Sequence, residues 1–258
     1  MMLIPVAWRF AVLLTGLSFA PGYAQADACR SETFEGTGYT VCTFDPAKAD
    51  LRIVWRDEAG APFRTFDALS EDLARRGSNL KFAMNGGMYG DDFSPTGLLV
   101  AEGEELKRAN VAEVRGAPGS IPNFYKKPNG VFYVGPDGAG VMETKAFLNA
   151  RPDAEFATQS GPMLVIDGEL HSAFIAGSSD RKMRNGVGVS GPGEVHFVIS
   201  EGRVNFHDFA RLFRDKLGCE DALFLDGGSA PGLYAPELGR DDAPGHGGYG
   251  PIIAVVGE

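Results

Sequence analysis

The sequence predicts a single α+β domain, strand-rich and turn-rich, carrying a mixed, largely antiparallel sheet and a few flanking helices. Three observations lead there. Short apolar runs recur along the chain at strand length. Thirty-five glycines and 16 prolines punctuate them as turn signals. Only two segments carry a clear helical period.

The first residues stand apart from that domain. Arg9 precedes the apolar stretch Phe10–Ala20, a length typical of a signal peptide and short for a bilayer span. Ala24-Gln25-Ala26 fits a small-x-small cleavage pattern. Residues 1–26 are therefore expected to be a signal peptide and 27–258 the mature domain, exported to the periplasm or medium without a membrane anchor. About 230 residues suit one core.

Strands are expected at Tyr39–Phe44, Leu51–Trp55, Leu80–Met84, Gly97–Ala101, Gly130–Val134, Met163–Ile166, Gly186–Val189, Val195–Ser200, Ala222–Leu225 and Ile252–Val256. Val131–Val134, the turn Pro136-Asp137-Gly138 and Val141–Glu143 read as a hairpin. Asp67 is expected to cap a helix over Ala68–Arg76, with Leu69 and Leu73 on one face and Gly77 as its stop. Asn205 is expected to cap Phe206–Leu217, where Phe206, Phe209, Phe213 and Leu217 recur at helical spacing before Gly218.

These helices head two similar units. Leu73–Gly87 and Leu212–Gly228 each run helix, glycine stop, apolar strand, then a polar residue and a glycine pair. Each delivers one polar side chain, Asn85 or Asp226, off a strand end, where sites are commonly built.

The net charge of -10 argues against a nucleic-acid partner held by a general basic field. Three cysteines in an exported chain favour a disulfide between Cys29 and Cys42, with all three reduced and packed as the alternative. Cys219, before an apolar strand, reads as buried and free. No pair of Cys or His has ligand spacing, so no metal and no cofactor is expected.

Asp226-Gly227-Gly228-Ser229 is the sharpest motif. Glycines admit positive φ and bring backbone N–H groups close to an oxyanion or sugar. The alternative is an Asp-Gly hairpin turn, although Ala230–Leu233 lacks the alternation of a returning strand. Asn85-Gly86-Gly87 carries the same two readings; its amide can both donate to and accept from sugar hydroxyls. Arg184 opens an apolar strand within the densest basic cluster, Arg181, Lys182 and Arg184, and suits bidentate phosphate binding. Asp208, three residues after Asn205, suits either a capping box or the second of two catalytic carboxylates beside Asp226. Ser160 and Gly161 interrupt a strand start, open to a ligand or to a bulge. The four histidines, His171, His196, His207 and His246, are scattered, which weakens a Ser-His-Asp hydrolase.

Seven segments in order, FAMNGGMYGDDFSPTGLLV, NFYKKPNGVFYV, QSGPMLVIDGELH, RNGVGV, VNFHDFARLF, LFLDGGSAPGLY and GGYGPIIAVV, together resemble the phosphodiester glycosidase family from about Phe82 to Val256. The resemblance implies one α+β domain with a central cleft at the strand ends. It implies hydrolysis of a sugar-1-phosphodiester to free sugar and a phosphomonoester. Carried over by position, Asn85, Arg184, Asp208 and Asp226 are the expected catalytic residues. Gly86, Gly87, Ser160, Gly161, Gly227, Gly228 and Ser229 are expected to line the substrate. Asp208 stands where relatives more often carry Glu, and Ser229 follows Gly228 where they carry a third glycine. Two other function classes stay open: a non-catalytic glycan- or phosphate-binding module, and a metal-dependent phosphodiesterase using Asp226 with Asp241 and Asp242.

Overall fold

The structure, a computed structural model, describes residues 28–117, 119–191 and 193–258. The expected signal peptide lies outside the described residues. Three sheets make up the domain. The largest has seven strands in the order Cys29–Phe34, Thr37–Phe44, Glu194–Ser200, Arg184–Ser190, Asp221–Gly227, Met163–Ile166 and Glu169–Leu170. A second runs Arg240–Asp241, Leu233–Ala235, Asn79–Asn85, Ile252–Gly257 and Asp50–Val54. The third runs Glu104–Lys107, Leu99–Ala101, Phe156–Ser160, Gly130–Gly135 and Gly138–Glu143. Every pairing within them is antiparallel.

Alternation along each strand sends one set of side chains into a shared core and the other outward. Phe82 and Met84 of the second sheet, Leu99 and Phe132 of the third, and Val187, Phe197, Leu223 and Leu225 of the first form one buried cluster. Phe197 is its hinge point, 5.2 Å from the Phe82 ring and 5.7 Å edge-on to Phe132. At roughly 1.5–3 kcal/mol for each large apolar side chain buried, this cluster is what holds the three sheets to one another.

The helices cover the outer faces. Phe66–Arg75 lays Phe66, Leu69 and Leu73 on Ala83, Ile252 and Ala254 of the second sheet. Its cap is Thr65 rather than Asp67: Thr65 is extended and its Oγ1 accepts from the Ala68 amide at 3.1 Å. Asp67 is already helical and sits in the first turn, where its charge suits the dipole. Asn205 caps Phe206–Arg211, and a π-turn over Leu212–Lys216 carries the chain to Gly218 at φ +67°. Phe209 and Phe213 pack there on Val41, Val198 and Phe224 of the seven-stranded sheet.

The hairpin at Pro136-Asp137 forms as expected, with Gly130 opposite Glu143 and Gly135 opposite Gly138. Cys29 and Cys42 are directly cross-strand and form a disulfide. Cys219 is free and buried, and burial pushes its thiol up to about 12.

Several elements lie outside the sequence's expectations, among them Cys29–Phe34, Glu104–Lys107, Leu233–Ala235 and the two that follow. Phe156–Ser160 is buried along its whole length although three of its five residues are polar, so it shows neither alternation nor an apolar run. Thr144–Ala150 is a short helix capped by Glu143, whose Oε2 accepts from the Ala146 amide at 2.9 Å.

Candidate active site

Neither glycine pair closes a hairpin. After Asp226-Gly227-Gly228 the chain leaves the seven-stranded sheet, and Leu233–Ala235 pairs with Ala83 and Met84 of the second sheet. After Asn85-Gly86-Gly87 it leaves the second sheet, and Leu99–Ala101 joins the third. Both pairs are crossovers between sheets, and the polar residues that head them are joined through Asn185. Gly87, at φ +149°, abuts Thr158 and Ser160, and Thr158 Oγ1 donates to the Gly86 carbonyl at 2.9 Å.

Asn185 joins the two polar residues. It lies opposite Asp226 in the ladder and accepts the Asp226 amide at Oδ1, 2.9 Å away. Its Nδ2 donates to Asn85 Oδ1 at 2.7 Å and to the Asn85 carbonyl at 3.2 Å. The Gly232 amide gives Asn85 Oδ1 a second donor at 2.9 Å. Both lone pairs of that oxygen are thus engaged, which fixes the amide's orientation. Asn85 Nδ2 is then left fully buried without a partner among the described residues.

The register between Asn185 and Gly186 shifts, so Leu225 bulges out of the ladder just before Asp226. Ser160 Oγ donates to the Leu225 carbonyl at 2.6 Å and fixes that bulge. Bulges of this kind re-aim the following side chain. Asp226 is half-buried, and its Oδ1 accepts the Gly227 amide at 2.7 Å. Burial among protein atoms raises its pKa to about 7, with the Gly227 bond opposing the shift. No cation contributes to that shift. Tyr89 stands close enough that burial first, and then the Asp226 charge, raise its hydroxyl to about 12. A carboxyl poised near neutrality can give or take a proton.

The remaining glycines are confined by their surroundings. A Cβ on Gly227 would stand 2.9 Å from the Phe224 ring, and one on Gly161 would stand 2.6 Å from Asn129 Cβ. Gly228, at φ +78°, donates to the Met183 carbonyl. Ser229 is exposed, and its Oγ pairs with His246 Nε2 at 2.7 Å.

Arg184 leaves the same end of the sheet on its other side. The guanidinium is fully buried, lies 3.6 Å above the Phe206 ring, and donates from Nε to the Val204 carbonyl at 2.9 Å. Nη2 donates to the Asp180 carbonyl at 3.3 Å, with the Asp180 carboxylate at 3.8 Å. Nη1 is buried with no partner among the described residues. Burial lowers this arginine to about 10, against the pull of Asp180. Asp208 also belongs to this side. Asn205 Nδ2 donates to it at 2.9 Å, Arg181 stands at 3.3 Å, and His207 Nδ1 pairs with its other oxygen at 3.3 Å. With Asn205 Oδ1 accepting the Asp208 amide at 2.8 Å, the two residues form the capping pair. The structure therefore brings Asn85 to Asp226 and places Arg184 and Asp208 across the sheet end from them.

Asp242 is taken up by Arg240 at 2.9 Å and by the Leu233 amide at 3.1 Å. Among the described residues no three acid, His or Cys side chains cluster as a metal site.

A sequence profile for phosphodiester glycosidases matches residues 78–252, the span that carries all of these groups. The uncharacterised Escherichia coli (strain K12) protein YigE is 34% identical over 218 residues, 83% of this chain and 82% of its own length. The chain belongs to the phosphodiester glycosidase family. The fold is likewise that of the zebrafish N-acetylglucosamine-1-phosphodiester alpha-N-acetylglucosaminidase catalytic domain, auto-inhibited by its pro-peptide. That domain matches with a TM-score of 0.59 at 14% identity, over 88% of this chain and 81% of its own. A hypothetical protein from Synechocystis matches with a TM-score of 0.56 at 16% identity, over 89% of this chain and 61% of its own.

Asn185 is the site residue that sequence reasoning does not single out. It stands in the RNGVGV segment, but beside Arg184 it reads only as part of a strand opening.

Proposed function

We propose that this protein is an exported hydrolase that cleaves the glycosidic bond of a sugar-1-phosphodiester, releasing free sugar and a phosphomonoester. The observation that carries this is the hydrogen-bonded Asn85–Asn185–Asp226 chain, with Asp226 raised to about 7, in a phosphodiester glycosidase family member.

The leaving phosphate is a weak base, so expelling it calls for charge stabilisation more than protonation. Arg184, with an unpartnered Nη1, supplies that charge at the leaving group. Asp226 in its ionised form takes the proton of the attacking water as the water oxygen bonds to the anomeric carbon. The bond from that carbon to the phosphate oxygen breaks, and the electron pair leaves with the phosphate. Asn85 Nδ2 donates to a sugar hydroxyl, orienting the ring over Asp226. Asp208 acts through His207, which it holds on the phosphate side. Gly86, Gly87, Gly227 and Gly228 let the backbone approach the sugar, while Ser160 supports the Leu225 bulge from behind, Gly161 gives the chain room beside Asn129, and Ser229 stands at the rim.

Export is supported by the Cys29–Cys42 disulfide, which an oxidising compartment maintains. No helix among the described residues is long and apolar enough to cross a membrane.

The test is sugar release from a panel of α-linked sugar-1-phosphodiesters by the purified protein, with Asp226→Asn in parallel. Free sugar and phosphomonoester, lost in the variant, support the reading. Binding without release would replace it with a glycan- or phosphate-binding module.

A further inference from the structure

Tyr89 stands near Asp226, and the hydrolysis described above gives it no task. Its position follows from one glycine-rich strap, Gly245–Gly250. Ser229, in the turn that follows Asp226, pairs with His246 at 2.7 Å, and Tyr89 Oη donates to the Gly248 carbonyl at 2.8 Å. The Asp226 turn and the Tyr89 ring are therefore anchored on neighbouring parts of the same backbone. The Asp226 charge is felt at Tyr89, where it adds to burial in raising the hydroxyl to about 12.

The ring is held by more than that one bond. A Cβ on Gly250 would stand 2.5 Å from Tyr89 Cβ and 2.6 Å from its Cγ, and one on Gly248 would stand 2.8 Å from the Phe93 ring. Two glycines of the segment GGYG thus let two aromatic side chains lie directly on the strap backbone. Tyr89 and Phe93 stack at 5.9 Å with 24° between their planes, and the Arg64 guanidinium lies 4.3 Å over Phe93. Arg64 in turn donates to the Gly247 carbonyl at 2.6 Å. Phe93 is held at φ +63°, which a bulky residue adopts only where its surroundings impose it. Asp92 fixes that turn by accepting from the Ser94 amide at 3.0 Å and from its hydroxyl at 2.7 Å. All of this order presents a ring that stays half-exposed. Among the described residues, Phe93 alone stacks on Tyr89, and no cation lies over it.

We propose that Tyr89 is the platform on which the sugar ring of the substrate stacks, its C–H face on the phenol ring and its anomeric carbon toward Asp226. The face of an aromatic ring is the negative side of its quadrupole and attracts weakly positive C–H groups. The hydroxyls of a pyranose project from its rim and stay free for polar partners. A phosphate would be repelled by the same face, so the platform takes the sugar end of the diester. Naming the stacked group as the substrate's sugar rests on the function proposed above. The platform itself rests on the strap geometry.

The test is calorimetric titration with the methyl phosphodiesters of α-glucose, α-galactose and α-mannose, in an Asp226→Asn background that leaves a substrate intact. At least one of the three should bind. Tyr89→Phe keeps the ring and loses only the bond to Gly248, so affinity should stay within about threefold. Tyr89→Leu keeps apolar bulk without a π face and should weaken binding about fivefold, and Tyr89→Ala, which also loses contact area, about thirtyfold. No binding of any of the three diesters, full affinity in Tyr89→Leu and Tyr89→Ala, or an equal loss in Tyr89→Phe would overturn the proposal. A readout without substitution at Tyr89 is saturation transfer by NMR, in which irradiating the tyrosine ring protons should reach the C–H protons of the bound sugar; no transfer would overturn it too. The outcomes also separate the two readings. Ring-dependent binding, with no sugar released from any diester by the wild type, retains the platform and removes the hydrolase. Sugar release whose KM is unchanged in Tyr89→Ala does the reverse.

Discussion

Replacing Asp226 by Asn should destroy activity and raise stability, with the gain depending on pH. In the folded protein burial raises this carboxyl from an ordinary 3.8 to about 7. Between those values the folded state holds a proton that the unfolded state has released, so wild-type stability falls as pH rises through that window. Three units at 1.36 kcal/mol each give a total loss of about 4 kcal/mol by pH 8. The amide introduced by Asp226→Asn carries no charge to desolvate and keeps an oxygen for the Gly227 N–H. The variant should therefore match wild type near pH 3.5 and exceed it by up to about 4 kcal/mol at pH 8. For a chain of this size that is a Tm rise of roughly 10 °C, at about 2–4 °C per kcal/mol. Urea titrations at pH 3.5, 5, 6.5 and 8, alongside turnover of a phosphodiester substrate, read both effects. Parallel stability profiles for the two proteins would refute the reasoning, because the carboxyl would then not be desolvated. Undiminished turnover would refute its catalytic role separately.

Three further outcomes follow from the same geometry. Asn185→Ala strips one partner from the Asn85 amide and leaves the Asp226 N–H unpaired, which should cost about 2–3 kcal/mol in urea unfolding; it should lower kcat far more than it raises KM and move the pH–rate profile, shifts that a purely structural role would not produce. Arg184→Lys keeps a charge but loses the planar fork and the stack on Phe206, so kcat/KM should fall by roughly a hundredfold, while an unchanged value would remove Arg184 from phosphate binding. Replacing Cys29 and Cys42 by Ser opens a loop with a sequence separation of 13, and the loss in a denaturant titration should be about 3 kcal/mol.

Much of the fold was legible because local patterning and core placement agree. The ten expected strands all form, since each is an apolar run bounded by Gly, Pro or a polar turn. Phe156–Ser160 was invisible because it is central to its sheet yet carries Thr158, Gln159 and Ser160, whose polar groups are satisfied by distant partners. Gln159 Oε1, for example, accepts from the Leu98 and Asn110 amides. Thr65 displaced Asp67 as the helix cap because one residue's backbone was extended and the other's helical, a difference that composition does not encode.

The sequence by itself determined that two strands end in a polar residue and a glycine pair, that Arg184 opens a strand, and that seven ordered segments resemble one family. What these ends do was decided only by tertiary structure. Asp-Gly-Gly and Asn-Gly-Gly could each have closed a hairpin; they became crossovers because the next strand found its partner in another sheet. Alternation along one strand then sent Asn185 toward Asn85 and Asp226 and its neighbour Arg184 to the opposite side, beside Phe206. Hydrogen bonds across 100 residues of sequence, and the desolvation that raises Asp226, depend on which surfaces meet when three sheets share one core.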